Sequence, residues 1–270
     1  MVSFPPCKIN LGLHITGKRA DGYHDIVTGF YPVPWNDVLE IVPARDFQFA
    51  MSGNPVPGAA VDNLCMRAYE MLNKQFRLKP VAMHLMKNIP IGAGLGGGSS
   101  DGAYALQMLN QIFNLSIPGN TLKDYALQLG SDCAFFLENR PMMGAGRGEI
   151  LTPLSLSLSG KFLVIVKPEV QISTAKAYAG ITPRTPVHGL RQILENHPVT
   201  EWRSLVKNDF EEVLFKEFPI IEAIHQKLYA FGATYASMSG SGSAVYGIFD
   251  KETDLQKEFP SMTYWSGVLD

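Results

Sequence analysis

The chain has 270 residues, of which 46% are hydrophobic and 18% charged, with a formal net charge of −2. That composition suits a soluble globular protein with room for one large domain or two of ordinary size. The charge balance offers no footprint for nucleic acid or an anionic membrane, so an anionic ligand would have to be held by local chemistry.

The start, MVSFPPCKIN, lacks a basic stretch followed by a long apolar run, which predicts no signal peptide. Residues 7–15 then alternate cleanly. Cys7, Ile9, Leu11, Leu13 and Ile15 share one side, and Lys8, Asn10, Gly12 and His14 the other. The pattern predicts a strand with one buried face, so that Lys8 and Asn10 project together on the polar side. The polar turn TGKRADG follows, then strands over 25–33, 38–42, 47–51 and 81–86. Residues 63–76 read as a helix, with Leu64, Ala68, Met71 or Leu72, and Phe76 roughly on one side. A second helix should begin near Ser99, its apolar face made by Ala103, Leu106, Leu109, Ile112 and Phe113. Thr121 and Asp124 form a capping-box-like start for a third, and Gly130 is its expected stop.

The densest apolar run, 162–166, reads as a buried strand and is far too short to span a bilayer. Helices are expected over 173–179, 187–196 and 200–231, the last broken near Pro219. Residues 233–238 and 244–249 read as strands around the turn SGSGS. Strands and helices mix without a strict βαβ alternation, which favours an α+β fold over a doubly wound sheet. The segment SLSLSG, residues 155–160, marks the expected boundary between domains 1–155 and 156–270. Cys7, Cys65 and Cys133 are widely spaced with no CxxC, which predicts neither a disulfide framework nor a zinc site and points to the reducing cytoplasm.

The strongest local signal is Pro90, Ile91, Gly92, Ala93, Gly94, Leu95, Gly96, Gly97, Gly98, Ser99, Ser100 and Asp101, with five glycines in seven residues between a strand and an amphipathic helix. Glycine lets backbone amides approach a phosphate and adopt positive φ, and a following helix adds free N–H groups and a positive dipole end. Ser99 and Ser100 stand where helix-start hydroxyls could meet a phosphate or a metal ion. The plain alternative is a flexible turn with a serine cap, but ordering five glycines costs roughly 0.5–1 kcal/mol each relative to alanine. No lysine completes a P-loop here, and the protein-kinase signatures HRD and DFG are absent from the chain. Gly92, Gly94 and Gly97 satisfy GxGxxG. However, the loop lies deep in the chain, with no acidic residue ending a strand some 20 residues on, which argues against dinucleotide binding.

Three elements together, CKINLGLHITGKRADGYHDI, PIGAGLGGGSSDGA and SMSGSGSAVYGIF, resemble the GHMP superfamily of small-molecule kinases (galactose, homoserine, mevalonate and phosphomevalonate). The stretch Lys-Arg-Ala-Asp-Gly-Tyr-His, with GSDCAFF at 130–136 and GRGEILTP at 146–153, is similar to the branch whose substrate carries a cytidine diphosphate. The resemblance runs over residues 7–249. It implies a two-domain GHMP kinase fold, with an N-terminal ribosomal-protein-S5-like ATP-binding domain and a smaller C-terminal ferredoxin-like domain. It also implies ATP-dependent phosphorylation of the 2-hydroxyl of 4-diphosphocytidyl-2-C-methyl-D-erythritol in non-mevalonate isoprenoid-precursor synthesis. Magnesium should accompany ATP, with Ser99, Ser100 or Asp101 the only suggestions for a protein oxygen. The partner expected is that small molecule, not nucleic acid or membrane, for a monomer or weak homodimer.

The resemblance also assigns roles. Asp132 would accept or orient the hydroxyl proton, and Lys8 would stabilise the alkoxide. Independently, Lys8 is the lone charge in its strand, and Asp132 directly precedes an apolar run after a helix stop. Spacing alone favours an ordinary structural ion pair or two unrelated surface charges; the resemblance is what favours catalysis. Tyr23 would stack on cytosine, His24 hydrogen-bond it, and Tyr178 stack on its other side; turn packing and helix core are the alternatives. Asn10 would touch the polyol, and Asn63 and Lys87 would lie near adenine, unless they are a helix cap and a solvated lysine. Gly240, Ser241 and Gly242 would bring a second backbone turn to the substrate's phosphate side, or form a plain hairpin turn. Cys7 and Cys133 read as core, and His14, His84, His188, His197 and His225 show no metal-ligand spacing. Ala93 and Ala134 depart from the Gly and Pro of many relatives. Three rivals remain: another GHMP-type kinase acting on mevalonate, homoserine or a sugar; a dinucleotide-dependent oxidoreductase; and a non-catalytic nucleotide-binding module.

Overall fold

The computed structural model describes every residue except Pro57, Ala59 and Val187. After a short β1 (Val2–Ser3), strand β2 (Pro6–Lys18) extends the expected strand at both ends. Its apolar side is buried as the alternation predicts, but Lys8 and Asn10 on the other side are only 3% and 2% exposed. The expectation of a single buried face is therefore corrected. Both faces are covered, and the polar one survives burial because its groups are hydrogen-bonded. Strands β3 (His24–Asn36), β4 (Val38–Pro43) and β5 (Gln48–Gly53) follow.

Helix α1 (Leu64–Phe76) is capped by Asn63, whose side chain accepts from the Cys65 amide, and it buries Cys65, Ala68, Tyr69 and Leu72. After β6 (Val81–Lys87), helix α2 (Gly97–Ile112) begins two residues before the expected start, so Gly97 and Gly98 form its first turn. Helix α3 (Gly119–Leu129) starts behind Pro118 without a side-chain cap. The capping box expected from Thr121 and Asp124 is not used, because the helix already begins at Gly119, behind an extended Pro118, and Thr121 lies within its first turn. Gly130 closes α3 as expected.

Helix α4 (Cys133–Glu138) and strands β7 (Met142–Ala145) and β8 (Ile150–Pro153) were not foreseen. They are too short to show a period. Strand β9 (Phe162–Lys167), helix α5 (Thr174–Ala179) and helix α6 (Leu190–Asn196) lie where expected, although Val187, the expected start of the last, is outside the described residues. The long helix expected over 200–231 is three pieces: α7 (Trp202–Leu205), α8 (Glu211–Glu217) and α9 (Pro219–Ala230). Pro219 sits in the first turn of α9, as its lost N–H predicts. The earlier break, at 206–210, was missed. Strands β10 (Tyr235–Met238), β11 (Val245–Phe249) and β12 (Thr263–Val268) complete the chain.

Two compact units result. The first comprises Met1–Cys7, Trp35–Ile91 and Gly96–Asn139. Its sheet has the order β1-β4-β6-β5, with β5 parallel to β6 and the other pairs antiparallel. Helix α2 packs on α1, α3, α4 and β4 through Ala103, Leu106 and Leu109, all fully buried.

The second unit comprises Lys8–Pro34, Gly92–Leu95 and Arg140–Asp270. It holds most of the sheet β2-β3-β7-β8 and the antiparallel sheet β10-β11-β9-β12. Its core joins Leu13, Ile15 and Ile26 to Val164, Phe210, Ile224, Leu228 and Val245, under α8 and α9.

Candidate active site

In the second unit, Lys8 and Asn10 share the polar side of β2, and the Lys8 ammonium donates to Asn10 Oδ1 and, at 2.8 Å, to the Gly94 carbonyl. The Lys8 amide donates to Leu95 O at 2.9 Å, so β2 holds the glycine-rich loop by main chain and side chain together. Asn10 Nδ2 donates to Thr28 Oγ1 at 2.9 Å, and the Thr28 hydroxyl in turn donates to Gly12 O at 2.6 Å. Phe30 lies 5.4 Å from the Lys8 ammonium. The lysine is thus an anchored, desolvated charge rather than a surface one.

The loop also meets the turn between β10 and β11. Ser239 Oγ donates to Gly94 O at 2.9 Å, and the Ala244 amide donates to Ala93 O at 3.1 Å. Gly94 has φ +77, and a Cβ there would stand 1.9 Å from Ser239 O. A Cβ on Gly240 would lie 3.1 Å from Asn10 Oδ1 and 3.4 Å from Gly94 O. Lys8, Asn10, Gly94 and Gly240 are therefore brought together. Ser239, which sequence reading did not single out, joins them; its signal was only that it adjoins the SGSGS glycines.

In the first unit, Gly97 and Gly98 open α2, and a Cβ on Gly98 would meet nothing within 4 Å. The first backbone N–H groups of a helix have no partner within it, so this end carries donors and a positive dipole end suited to an anion. Beneath it Lys87 is 3% exposed and pairs with Asp37 and, at 2.6 Å, with Asp101. The alternative of a solvated Lys87 does not hold: burial works to lower its pKa, but the Asp101 and Asp37 carboxylates outweigh this and raise it. Burial first, against the pull of Lys87, raises the Asp101 carboxyl to about 7. Asp37 Oδ1 also accepts the Asn88 and Ile89 amides at 2.6 and 2.8 Å, fixing the strand end that enters the loop. Ser100 Oγ and Asp101 Oδ1 are buried without a hydrogen-bond partner among the described residues. Asn63 is occupied as a helix cap, its Oδ1 2.9 Å from the Cys65 amide.

The aromatic residues divide. His24 stacks on Tyr178 with centroids 4.6 Å apart and planes 16° off parallel, and Phe210 meets Tyr178 edge-on at 4.9 Å. Tyr23 is 56% exposed, with the Arg147 guanidinium 4.9 Å from its ring centre. Tyr178 thus faces His24, not an open gap. Arg147 was missed, its place given only by the GRGE segment.

Asp132 stands just before α4 in the first unit and makes no capping bond there. Next to it the Cys133 thiol is buried and pushed up to about 12 by that burial, which fits core packing and not a nucleophile. Cys7 and Cys65 are buried too. Among the described residues no cluster of three or more His, Cys, Asp or Glu could hold a metal, and no helix is long and apolar enough to cross a membrane.

Residues 63–139 match the family model "GHMP kinases N terminal domain" and residues 190–262 the model "GHMP kinases C terminal". The chain is 48% identical over 261 residues to the 4-diphosphocytidyl-2-C-methyl-D-erythritol kinase of Bacteroides fragilis, covering 95% of each. It is 45% identical over 259 residues to the kinase of that name from Cytophaga hutchinsonii, covering 96% of each. Among solved structures it is similar to a 4-(cytidine 5'-diphospho)-2C-methyl-D-erythritol kinase, with a TM-score of 0.79 and 32% identity over 92% of this chain and 90% of that one. With relatives this similar along nearly its whole length, the chain belongs to the GHMP kinase family, within the branch of the 4-diphosphocytidyl-2-C-methyl-D-erythritol kinases.

Proposed function

We propose that the chain transfers the γ-phosphoryl group of ATP to the 2-hydroxyl of 4-diphosphocytidyl-2-C-methyl-D-erythritol, as a cytoplasmic enzyme of non-mevalonate isoprenoid-precursor synthesis. The substrate follows from the names of relatives that share nearly half of its residues. The observation that carries the chemistry is the buried Lys8 ammonium, anchored on the carbonyl of Gly94 within the glycine-rich loop.

In this reading Asp132 takes the hydroxyl proton as the substrate oxygen bonds to the γ-phosphorus, the bridge to the β-phosphate breaks, and ADP leaves. Lys8 stabilises the alkoxide as it forms. Residues 90–100 hold the triphosphate, with the N–H groups of Gly97, Gly98 and Ser99 at the start of α2 turned to the phosphates. The unfilled space at Gly98 supports this fit. Magnesium, when bound, neutralises phosphate charge. On the protein side an oxygen of Ser99, Ser100 or Asp101 would hold it. Lys87 acts through the ion cluster under the helix, and Asn63 touches adenine only where its capping role allows.

Tyr23, His24 and Tyr178 bind cytosine. Rings 4.6 Å apart leave no room for a third between them, so the base lies on Tyr23 and takes its hydrogen bond from His24, or displaces Tyr178. Asn10 and the turn Gly240, Ser241 and Gly242 border the polyol and its phosphates.

A coupled ADP-release assay tests the reading. Turnover of the cytidyl substrate, with mevalonate and homoserine idle, is expected. Equal turnover of mevalonate would move the chain to another GHMP activity, and ATP binding without ADP release would make it a binding module. The family membership leaves no support for a dinucleotide-dependent oxidoreductase.

A further inference from the structure

Residues 207–211, Lys-Asn-Asp-Phe-Glu, interrupt what reads in the sequence as one long helix. In the second unit this segment touches three features of the proposed site. Asn208 is 3% exposed, and its amide nitrogen donates to Met238 O and Gly240 O, both at 2.8 Å, on either side of Ser239. Its Oδ1 accepts the Phe210 amide at 3.1 Å. Two donors and one acceptor are thereby used, all on backbone. Glu211 Oε1 accepts from the Met238 amide and from Ser237 Oγ, each at 2.7 Å.

The segment also grips β2. Leu13 N donates to Lys207 O at 2.9 Å, Asp209 N donates to Leu13 O at 2.8 Å, and Asp209 Oδ2 accepts the Ile15 amide at 2.8 Å. Phe210 sets the edge of Tyr178. What this segment holds at 238–240 is the same backbone that receives Gly94, and Gly94 O receives the Lys8 ammonium.

We propose that Asn208 and Glu211 are positioning residues for phosphoryl transfer: they fix the Met238–Gly240 backbone, which fixes Gly94, which fixes the ammonium of Lys8. The inference rests on the roles proposed above for Lys8 and the glycine-rich loop. Neither residue touches the reacting atoms. A purely structural role predicts fewer folded molecules with normal turnover each; a positioning role predicts folded molecules that bind their substrates and turn over slowly, because small displacements of a charged group are costly at the transition state.

The experiment compares Asn208→Ala, Asn208→Ser, Glu211→Ala and Glu211→Gln with the unaltered chain. Steady-state ADP release is measured per folded molecule, alongside amide hydrogen exchange. For Asn208→Ala, kcat should fall roughly 10–100-fold with both KM values within about threefold. The amides of Lys8 and Ala244, which bond to Leu95 O and Ala93 O, should exchange at least about tenfold faster, while those of β9 stay unchanged. Should the alanine variant not fold, Asn208→Ser, which keeps one donor, carries the same test. Glu211→Gln, which keeps an oxygen for the Met238 amide, should recover most of the turnover lost in Glu211→Ala. Folded variants with turnover within about twofold of the unaltered chain and unchanged exchange would overturn the inference. If instead the unaltered chain releases no ADP with the cytidyl substrate, the functional reading fails, and the exchange of Lys8 and Ala244 still decides whether Asn208 holds the loop.

Discussion

Gly94 lies so close beneath the carbonyl of Ser239 that a Cβ on it would come within 1.9 Å of that oxygen. Nothing flexible stands in the way to yield, since the obstacle is backbone, and the positive φ of Gly94 adds about 1 kcal/mol for any other residue. Gly94→Ala should therefore push the loop off the turn and carry the Gly94 carbonyl away from Lys8. The expected result is a loss of kcat of at least about 10²-fold, read by ADP release on protein shown to be folded by circular dichroism.

Gly98→Ala should behave in the opposite way toward stability. The position is in the first turn of α2 and a Cβ there meets nothing within 4 Å. Alanine should raise the melting temperature slightly, by about 0.5–1 kcal/mol of stability. If a triphosphate occupies that space, the same methyl should raise the KM for ATP severalfold. A stabilised variant with unchanged ATP affinity would remove this helix end from the phosphate site.

For Lys8 and Asp132 the expected losses lie in the chemical step. Lys8→Ala and Asp132→Ala should each lower kcat by at least roughly 10²-fold. Loss of the Lys8 ammonium also removes one donor each from Asn10 Oδ1 and Gly94 O, so its melting temperature should fall as well. Near-normal turnover in both folded variants would refute the assignment.

His24→Ala separates base recognition from catalysis. Removing the imidazole strips Tyr178 of its stacking partner at 4.6 Å. The KM for the cytidyl substrate should rise by about tenfold or more while kcat with saturating substrate changes less. An unchanged KM would mean that the His24–Tyr178 stack is packing only.

Stability should fall with rising pH near neutrality. Burial raises the carboxyls of both Asp101 and Glu211 to about 7. In the unfolded chain such groups titrate at about 4, so the folded state binds their protons more tightly. Their stabilising contribution is complete below about pH 4, is lost progressively as the pH rises to about 7, and changes no further above that, for a total on the order of 4 kcal/mol each. His225, whose pKa burial lowers, acts in the opposite sense below about pH 6.5 and offsets part of the decline there. Denaturant melts from about pH 5 to about 8.5 should show a decline that levels off above about pH 7, and Glu211→Gln and Asp101→Asn should each flatten it. A pH-independent midpoint in the unaltered chain would contradict both shifts.

Much of this arrangement was legible in the sequence because period and punctuation carried it. The alternation along β2 put Lys8 beside Asn10, and the glycine-dense run marked the turn into α2. What stayed hidden was set by contacts between residues distant in the chain. The ion cluster around Lys87 was not legible because its partners, Asp37 and Asp101, lie 50 and 14 positions away. Asn208 was lost inside an apparently helical stretch because its side chain satisfies backbone groups at Met238 and Gly240 instead of continuing the helix. The stack of His24 on Tyr178 depends on where α5 lands, which no local pattern encodes. Strand β12 was missed because its residues are mostly half-exposed and follow no clean alternation.

The seating of Gly94 on Ser239 joins positions 145 apart in sequence. During synthesis the ribosome delivers the glycine-rich segment long before the hairpin that receives it. Until residues 238–244 have emerged, the nascent chain therefore carries that segment without its seat, however completely its neighbouring helices have formed. A chain cut short of Met238 would then keep every residue of the loop and lose its shape, so deletions at the far end of the gene would act on the loop as directly as substitutions within it.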